Sequence, residues 1–270
     1  SGKIELFLNK EKILNKNVID YLKSLVNIYP EENIDRYIYS IKKNKIIGMD
    51  DNITSFFFKN ICNKVNLKTN NFENPCLYPK AIKNKIELKG AKNANLRDGI
   101  SVTKFIHWLK TKRINNHTDE ILAAKKLFNF RKNNYLFYSL SFDTISALGP
   151  NAALPHYHVT KETNLKFTNN SIYLVDSGAQ YFDGTTDITR TIVIGNATKD
   201  QKDKFTRVLK GHIAIAESTF LLDTRGSQID SVARKSLNEI NCDYDHGTGH
   251  GIGSFLSVHE GPQKFIKDKN

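Results

Sequence analysis

Residues 171–195 read SIYLVDSGAQYFDGTTDITRTIVIG, and the fold follows from how this stretch pairs. Two apolar runs rich in Ile and Val flank a cluster of Gly and Thr, the pattern of paired strands joined by a short connection. Asp176 closes the first run and Asp187 opens the second, so an antiparallel pairing carries both carboxylates to one end of the ribbon. Carboxylates held side by side away from water repel and require a counter-charge. A divalent metal ion is the simplest one.

A second stretch, 245–263, reads DHGTGHGIGSFLSVHEGPQ and sets His246, His250 and His259 among five glycines. Glycine lets a backbone approach a small ligand closely. Imidazole with carboxylate suits Mn, Zn, Co or Fe better than Ca or Mg. The spacing of His246 and His250 invites comparison with a zinc-binding helix, but HExxH is absent and the glycines disfavour a helix. The two stretches are therefore expected to meet.

LVDSGAQYFDGTTDITRT followed by HGTGHGIGSFLSVHEGPQ closely resembles the Xaa-Pro aminopeptidase (aminopeptidase P) branch of the pita-bread metallopeptidases, a family that also holds prolidase, methionine aminopeptidase and creatinase. AIKNKIELKGAKNANLRDG, FDTISALGPNAALPHY and VLKGHIAIAESTF follow the family's order, so the resemblance runs from Ala81 onward. It implies an α/β (α+β) pita-bread domain with two divalent metal ions, manganese before Zn or Co, acting on peptides with proline in second position. Asp176 would bind one ion, Asp187 would bridge both and His250 would supply nitrogen. A bridging hydroxide would attack the peptide carbonyl. His156 and His259 would stand on the substrate side as catalytic groups, and His246 would line the pocket for the proline ring. Pro155 departs from the aliphatic residue that relatives carry beside His156. The pattern also needs two later glutamates that these 270 residues do not contain. Three of five implied ligands are present, so the stretch by itself is expected to be an inactive portion of such an enzyme. Prolidase-type dipeptidase activity and a noncatalytic peptide-binding module are the alternatives.

Composition narrows the field. With 39% apolar and 10% aromatic residues in 270, the chain can bury an ordinary core. No apolar run is long enough to span a bilayer and no signal peptide is visible, so no membrane partner is expected. The chain opens on Ser1-Gly2-Lys3 without an initiator Met, and a start further upstream is the expectation. The net charge of +12 comes from lysines scattered among asparagines, without the aromatic-interleaved stripe of a nucleic-acid surface, so no nucleic-acid partner is expected. Cys62, Cys76 and Cys242 are too few and too dispersed for a metal finger, which favours reduced thiols and a cytoplasmic location. A homodimer is expected from the resemblance.

Domain organisation and elements follow from periodicity. Asn74-Pro75-Cys76-Leu77-Tyr78-Pro79 marks the boundary, because two prolines discourage helix and central strand alike. Residues 1–79 read as part of a small noncatalytic α/β domain and 80–270 as the metallopeptidase domain. Within the first, Lys3 to Ile13 reads as strand, turn and strand, Val18 to Ile28 as helix, Lys45 to Met49 as strand and Ser55 to Val65 as helix. Lys83 to Lys112 reads as one amphipathic helix, with Ile86, Leu88, Ala91, Leu96, Ile100, Phe105, Ile106 and Leu109 available for its buried face. His107 and Trp108 on it read as structural. Thr118 is the expected cap of a helix reaching about Lys132. Thr198 caps another from Lys199 to about Thr219, with Phe205, Val208, Leu209, Ile213 and Ala216 facing inward. Ser227 to Ile240 is the last. Asp183 reads as a turn residue, His158 and His212 as bystanders, and Glu260 is unassigned.

Overall fold

A computed structural model describes residues 4–12, 15–111 and 118–267 of the chain, and the expectations that touch residues 1–3, 13, 112 and 270 lie outside them. The chain divides into two compact units, 1–76 and 77–270.

The first unit contains β1 (Glu5–Leu8), α1 (Lys16–Leu25), β2 (Asn27–Pro30), α2 (Ile34–Ser40), β3 (Ile46–Met49), α3 (Phe56–Lys64) and β4 (Lys68–Asn71). β1 pairs with β2 and β3 with β4, both in parallel, and Ile38, Ile61, Cys62 and Leu67 form its small core. Two expectations fail here. Lys10–Lys12 is a 3-10 turn rather than a second strand, and Ile28 lies in β2 rather than in a helix. For Ile28, an apolar residue in a short segment fits either period, and pairing with Leu6 of β1 decides it, while Lys10–Lys12 has no apolar residue to seat on a sheet.

The second unit opens with α4 (Leu77–Ala81), which contains Pro79 in its first turn, where a missing N–H costs nothing. It continues with α5 (Lys85–Thr111), α6 (Glu120–Arg131), β5 (Phe137–Leu140), β6 (Ile145–Leu148), β7 (Ser171–Ser177), β8 (Ala179–Tyr181), β9 (Gly184–Thr185), β10 (Ile188–Ile194), α7 (Lys199–Glu217), α8 (Gly226–Asn238), β11 (Gly249–Gly251) and β12 (Glu260–Phe265). The cap of α6 is Asp119, whose carboxylate accepts from Leu122 N at 2.7 Å, and Thr118 instead lies buried beside it.

β7 is the central strand of an antiparallel sheet ordered β10-β7-β6. Its burial alternates, with Tyr173, Val175 and Ser177 on the buried face, as the period of a strand packed on one side requires. Val102, Phe105 and Leu109 of α5 and Ala123 and Leu127 of α6 fill the space beneath, against Tyr173, Val175, Ile192 and Ile194.

The buried face of α5 is Gly90, Ala94, Asp98, Ser101, Val102, Phe105 and Leu109, so only its C-terminal half follows the apolar pattern. Ile86, Leu88, Leu96 and Ile100 are exposed. Close approach explains the difference: a Cβ at Gly90 would lie 2.0 Å from the carbonyl oxygen of Asp183, so small residues occupy the seam and the large ones point away. α7 behaves similarly. It meets α8 at Gly211, where a Cβ would come within 2.2 Å of Ala233 O, while Phe205, Val208, Leu209, Ile213 and Ala216 are exposed rather than inward.

Candidate metal centre

The register of the ribbon positions the first pair of groups. Asp176 on β7 stands directly opposite Thr189 on β10, and Asp187 immediately precedes β10 at the same end. Directly opposed residues project to one face. Asp176 and Thr189 therefore share the face turned away from the helices, and the Thr189 hydroxyl donates to Asp176 Oδ1 at 2.7 Å.

The histidine stretch reaches the same place. β11 pairs with β12 as a short antiparallel ladder, and it presents His250 so that Nε2 lies 3.2 Å from Asp187 Oδ2. His259, just before β12, packs edge-on against His250 with ring centroids 4.2 Å apart. Burial pushes the Asp187 carboxyl up from its ordinary range and the neighbouring Asp176 charge adds to this, while His250 and His259 pull it back.

Hydrogen bonding fixes which ring nitrogen of His250 carries its hydrogen. His250 Nδ1 lies 2.8 Å from Gly251 O, and a carbonyl oxygen only accepts, so the Nδ1 atom carries the hydrogen. A protonated His250 donates from Nε2 to Asp187 Oδ2, whereas the neutral ring turns a lone pair to the same oxygen, where a proton or a cation has to lie between the two. Holding the other ring nitrogen by a carbonyl is the usual way a ligating imidazole is oriented. Among the described residues no three His, Cys, Asp or Glu side chains already form a metal-holding group. The donor chemistry fits a divalent ion: two carboxylates, one of them disfavoured as an anion, with imidazole in reach.

Two other expected residues are not joined to this cluster by any hydrogen bond or ion pair among the described residues. His246 stacks on Tyr244 at 4.8 Å, with its own Nδ1 2.8 Å from Gly247 O. His156 is exposed, at a left-handed φ of 57°. Its loop is nevertheless held firmly. Glu120, fully buried, accepts from Leu148 N at 2.6 Å, Asn151 Nδ2 at 3.0 Å, the Tyr157 hydroxyl at 3.1 Å and Leu165 N at 2.9 Å.

Beneath the ribbon lies a network that no motif announced. Arg131 donates to both oxygens of Asp98, at 2.6 and 2.8 Å, and both residues are fully buried. Thr186 and Tyr181 donate to the same carboxylate at 2.8 and 3.1 Å, and Arg131 also reaches Ser177 O at 3.3 Å. Ser177 and Thr186 are the immediate neighbours of Asp176 and Asp187. A charged residue in the middle of an amphipathic helix was the only available signal. Asp183 is indeed at a turn, ion-paired with Arg97. Glu260 is buried and ion-paired with Lys83 and, at 3.2 Å, with Lys80. Burial alone would raise its carboxyl, but the two lysines outweigh that and hold it low.

Residues 89–270 match the profile of metallopeptidase family M24. The chain belongs to that family. Xaa-Pro aminopeptidase 1 of Dictyostelium discoideum is 41% identical over 272 residues, covering 97% of this chain and 42% of that protein. Xaa-Pro aminopeptidase ApepP of Drosophila melanogaster is 47% identical over 190 residues, covering 70% of this chain and 31% of that protein. Among solved structures, X-prolyl aminopeptidase from Caenorhabditis elegans, described as a cytosolic enzyme with a di-nuclear active site, superposes with a TM-score of 0.86 at 35% identity, over 97% of this chain and 44% of that one. Prolidase from Pyrococcus horikoshii shares the fold, with a TM-score of 0.75 at 24% identity, over 96% of this chain and 71% of that one. The M24 chain described here thus has the mixed α/β pita-bread fold, and spans about two fifths of the length of the curated relatives it matches.

Proposed function

We propose that this M24 protein is a cytoplasmic, metal-dependent aminopeptidase that removes the N-terminal residue from peptides with proline in second position. The observation that carries the reading is the approach of His250 Nε2 to within 3.2 Å of Asp187 Oδ2, with Asp176 and His259 beside them. The relatives' names supply the substrate class.

In this reading Asp176, Asp187 and His250 would hold the metal ions. Manganese is the preferred metal, with Zn or Co able to substitute. Bound ions supply Lewis-acid activation of water and of the scissile carbonyl. The protein's own groups do the remainder. Thr189 fixes the rotamer of Asp176, and Gly251 O fixes the tautomer of His250. His259 lies on the substrate side, where an imidazole N–H can donate to oxygen as it gains charge. His156 is assigned to the same side, on the loop that Glu120 anchors. His246, propped on Tyr244, is assigned to the pocket that accepts the proline ring. A proline nitrogen lacks a hydrogen in the peptide, so this pocket needs shape rather than an acceptor. We also assign the protein to a homodimer. Residues 1–270 by themselves, holding three of the five ligands the resemblance implies, are expected to bind manganese weakly and to be inactive.

The test is turnover of Arg-Pro-Pro with added manganese by the protein expressed from its own reading frame, compared with Asp187→Ala. The expected loss exceeds the roughly 100-fold typical of removing an outer partner of a metal site. Equal turnover by both would refute the reading, and hydrolysis confined to Xaa-Pro dipeptides would turn it into a prolidase.

A further inference from the structure

Two loops have to be brought into register for the carboxylates and the histidines to meet. One is the β8–β9 hairpin, which lies between Asp176 and Asp187. The other, Gly251 to Val258, lies between His250 and His259. Gln180 and Thr185 pair across the hairpin and are almost completely buried, at 4% and 1% exposure. The Thr185 hydroxyl donates to Gln180 Oε1 at 2.6 Å and accepts from Phe255 N at 3.0 Å. Gln180 Oε1 accepts a second hydrogen bond, from Leu256 N, at 3.1 Å.

The two amides so held belong to consecutive left-handed residues, Phe255 at φ 83° and Leu256 at φ 64°. Side-chain-bearing residues persist in that region only where their surroundings over-determine it. The surroundings here are those two hydrogen bonds, the Gly253 N to Ser257 O bond at 2.8 Å that closes the loop, and the Phe255 ring packed against Phe182 at 5.9 Å and Tyr138 at 5.5 Å. Phe182 sits at the tip of the same hairpin.

We infer that Gln180 and Thr185 are positioning residues, a clamp that joins the loop between the carboxylates to the loop between the histidines and so sets His250 and His259 over the aspartate pair. The inference rests on the proposed metal centre. It explains why the hairpin carries a buried amide and a buried hydroxyl. Only a hydroxyl can donate to Gln180 and accept from Phe255 at once. Valine has the shape of threonine and can do neither.

Three variants test it in the protein expressed from its own reading frame: Thr185→Val, Thr185→Ser and Gln180→Met. The first readout needs no metal. Amide hydrogen exchange at Phe255 and Leu256 is expected to be protected in the parent, to speed up at least tenfold in Thr185→Val and Gln180→Met, and to stay slow in Thr185→Ser. The second readout is manganese affinity by titration calorimetry. It is expected to fall by about 10–100-fold in the Val and Met variants, as for other outer partners of metal ligands, and to be kept by Ser. The third is kinetic, with kcat on Arg-Pro-Pro falling more than KM rises.

Unprotected amides at 255 and 256 in the parent would overturn the clamp, and this measurement does not depend on any variant folding. So would manganese affinity within twofold of the parent in a folded Thr185→Val, or Thr185→Ser failing as Val does. Failure of the metal-centre reading looks different: Asp187→Ala would bind manganese as the parent does, while the exchange pattern still reported an intact clamp.

Discussion

Asp98 and Asp187 both lie against the end of the β7–β10 ribbon, on opposite sides, and their charges are handled in opposite ways. Asp98 is fully buried beneath the sheet, and every contact it makes is a donor: a two-pronged arginine, a threonine hydroxyl and a tyrosine hydroxyl. Asp187 is only partly buried on the other face, yet burial and a second carboxylate disfavour its charge, and its near partner is the ring Nε2 of His250, 3.2 Å away. A carboxylate surrounded by donors is a structural site. The cluster of carboxylate and imidazole held in place by that structure is the site proposed for a cation, and stability given up at such a cluster is commonly the counterpart of function. The two are physically linked, since Thr186 and Ser177 contact the Asp98–Arg131 pair and adjoin the two aspartates.

The comparison can be broken first at Asp98. Asp98→Ala leaves the Arg131 guanidinium buried without its partner, and truncating one side of a buried pair costs about 3–5 kcal/mol. Denaturant unfolding should show this as a large fall in the midpoint. A loss below about 1 kcal/mol would mean that the network is not closed in solution.

Asp187→Asn should have the opposite sign. Its folded carboxyl is raised, so the ionised form at neutral pH destabilises the metal-free fold, and an amide removes that penalty. We expect the metal-free protein to melt about 2–4 °C higher, the equivalent of roughly 1 kcal/mol, while manganese no longer stabilises it as a ligand of the native state must. A lower melting temperature in the variant would place Asp187 with Asp98 as a structural carboxylate.

A pH series sharpens the contrast further. Asp230 of α8 is buried and, although burial alone would raise it, Arg234 and Thr248 hold its carboxyl below the ordinary range. A depressed carboxyl stabilises the fold above its unfolded pKa of about 4, and that contribution is lost as pH falls through the lower folded value. Thermal melts from pH 6 down to 2 should show a decline that shrinks in Asp230→Asn. The raised Asp187 contributes in the other sense, with stability lost as pH rises through its folded value.

The smallest effect belongs to a largely exposed pair. Lys204 and Asp200 sit one helical turn apart on α7, 2.9 Å from each other and largely exposed. Asp200→Asn is expected to leave the unfolding midpoint almost unchanged, and salt should remove what difference there is. A change comparable to that at Asp98 would mean that burial is not what separates these sites.

Much of this was legible in the chain. The apolar runs in SIYLVDS and ITRTIVI, flanking a Gly and Thr cluster, announced a strand pair, and the placement of Asp176 and Asp187 at its two inner ends fixed where the carboxylates would emerge. Thr198 was readable as a cap, and the structure adds Gln201, with which it forms a capping box in both directions. The buried face of α5 was not readable in its first half. An apolar stripe shows which side of a helix prefers an apolar neighbour, whereas burial also requires that the neighbour be there, and at Gly90 the neighbour is backbone. His156 and His246 show the same limit at the site: their residue type marked them, but no hydrogen bond or ion pair among the described residues joins them to the aspartates.

By itself, then, the sequence determined the ribbon, its two carboxylates, the glycine-spaced histidines and the family to which they belong, because strand period and motif spacing are local properties of the chain. Only the tertiary structure decided that His250 faces Asp187 across 3.2 Å, that an arginine and aspartate 33 residues apart close a buried network beneath them, and that Gln180 and Thr185 grip a loop 70 and more residues away. Those facts depend on which polar groups are forced together once water is excluded. No period in the chain encodes that, because a buried hydrogen bond is specified by the partner that must satisfy it rather than by the residues on either side.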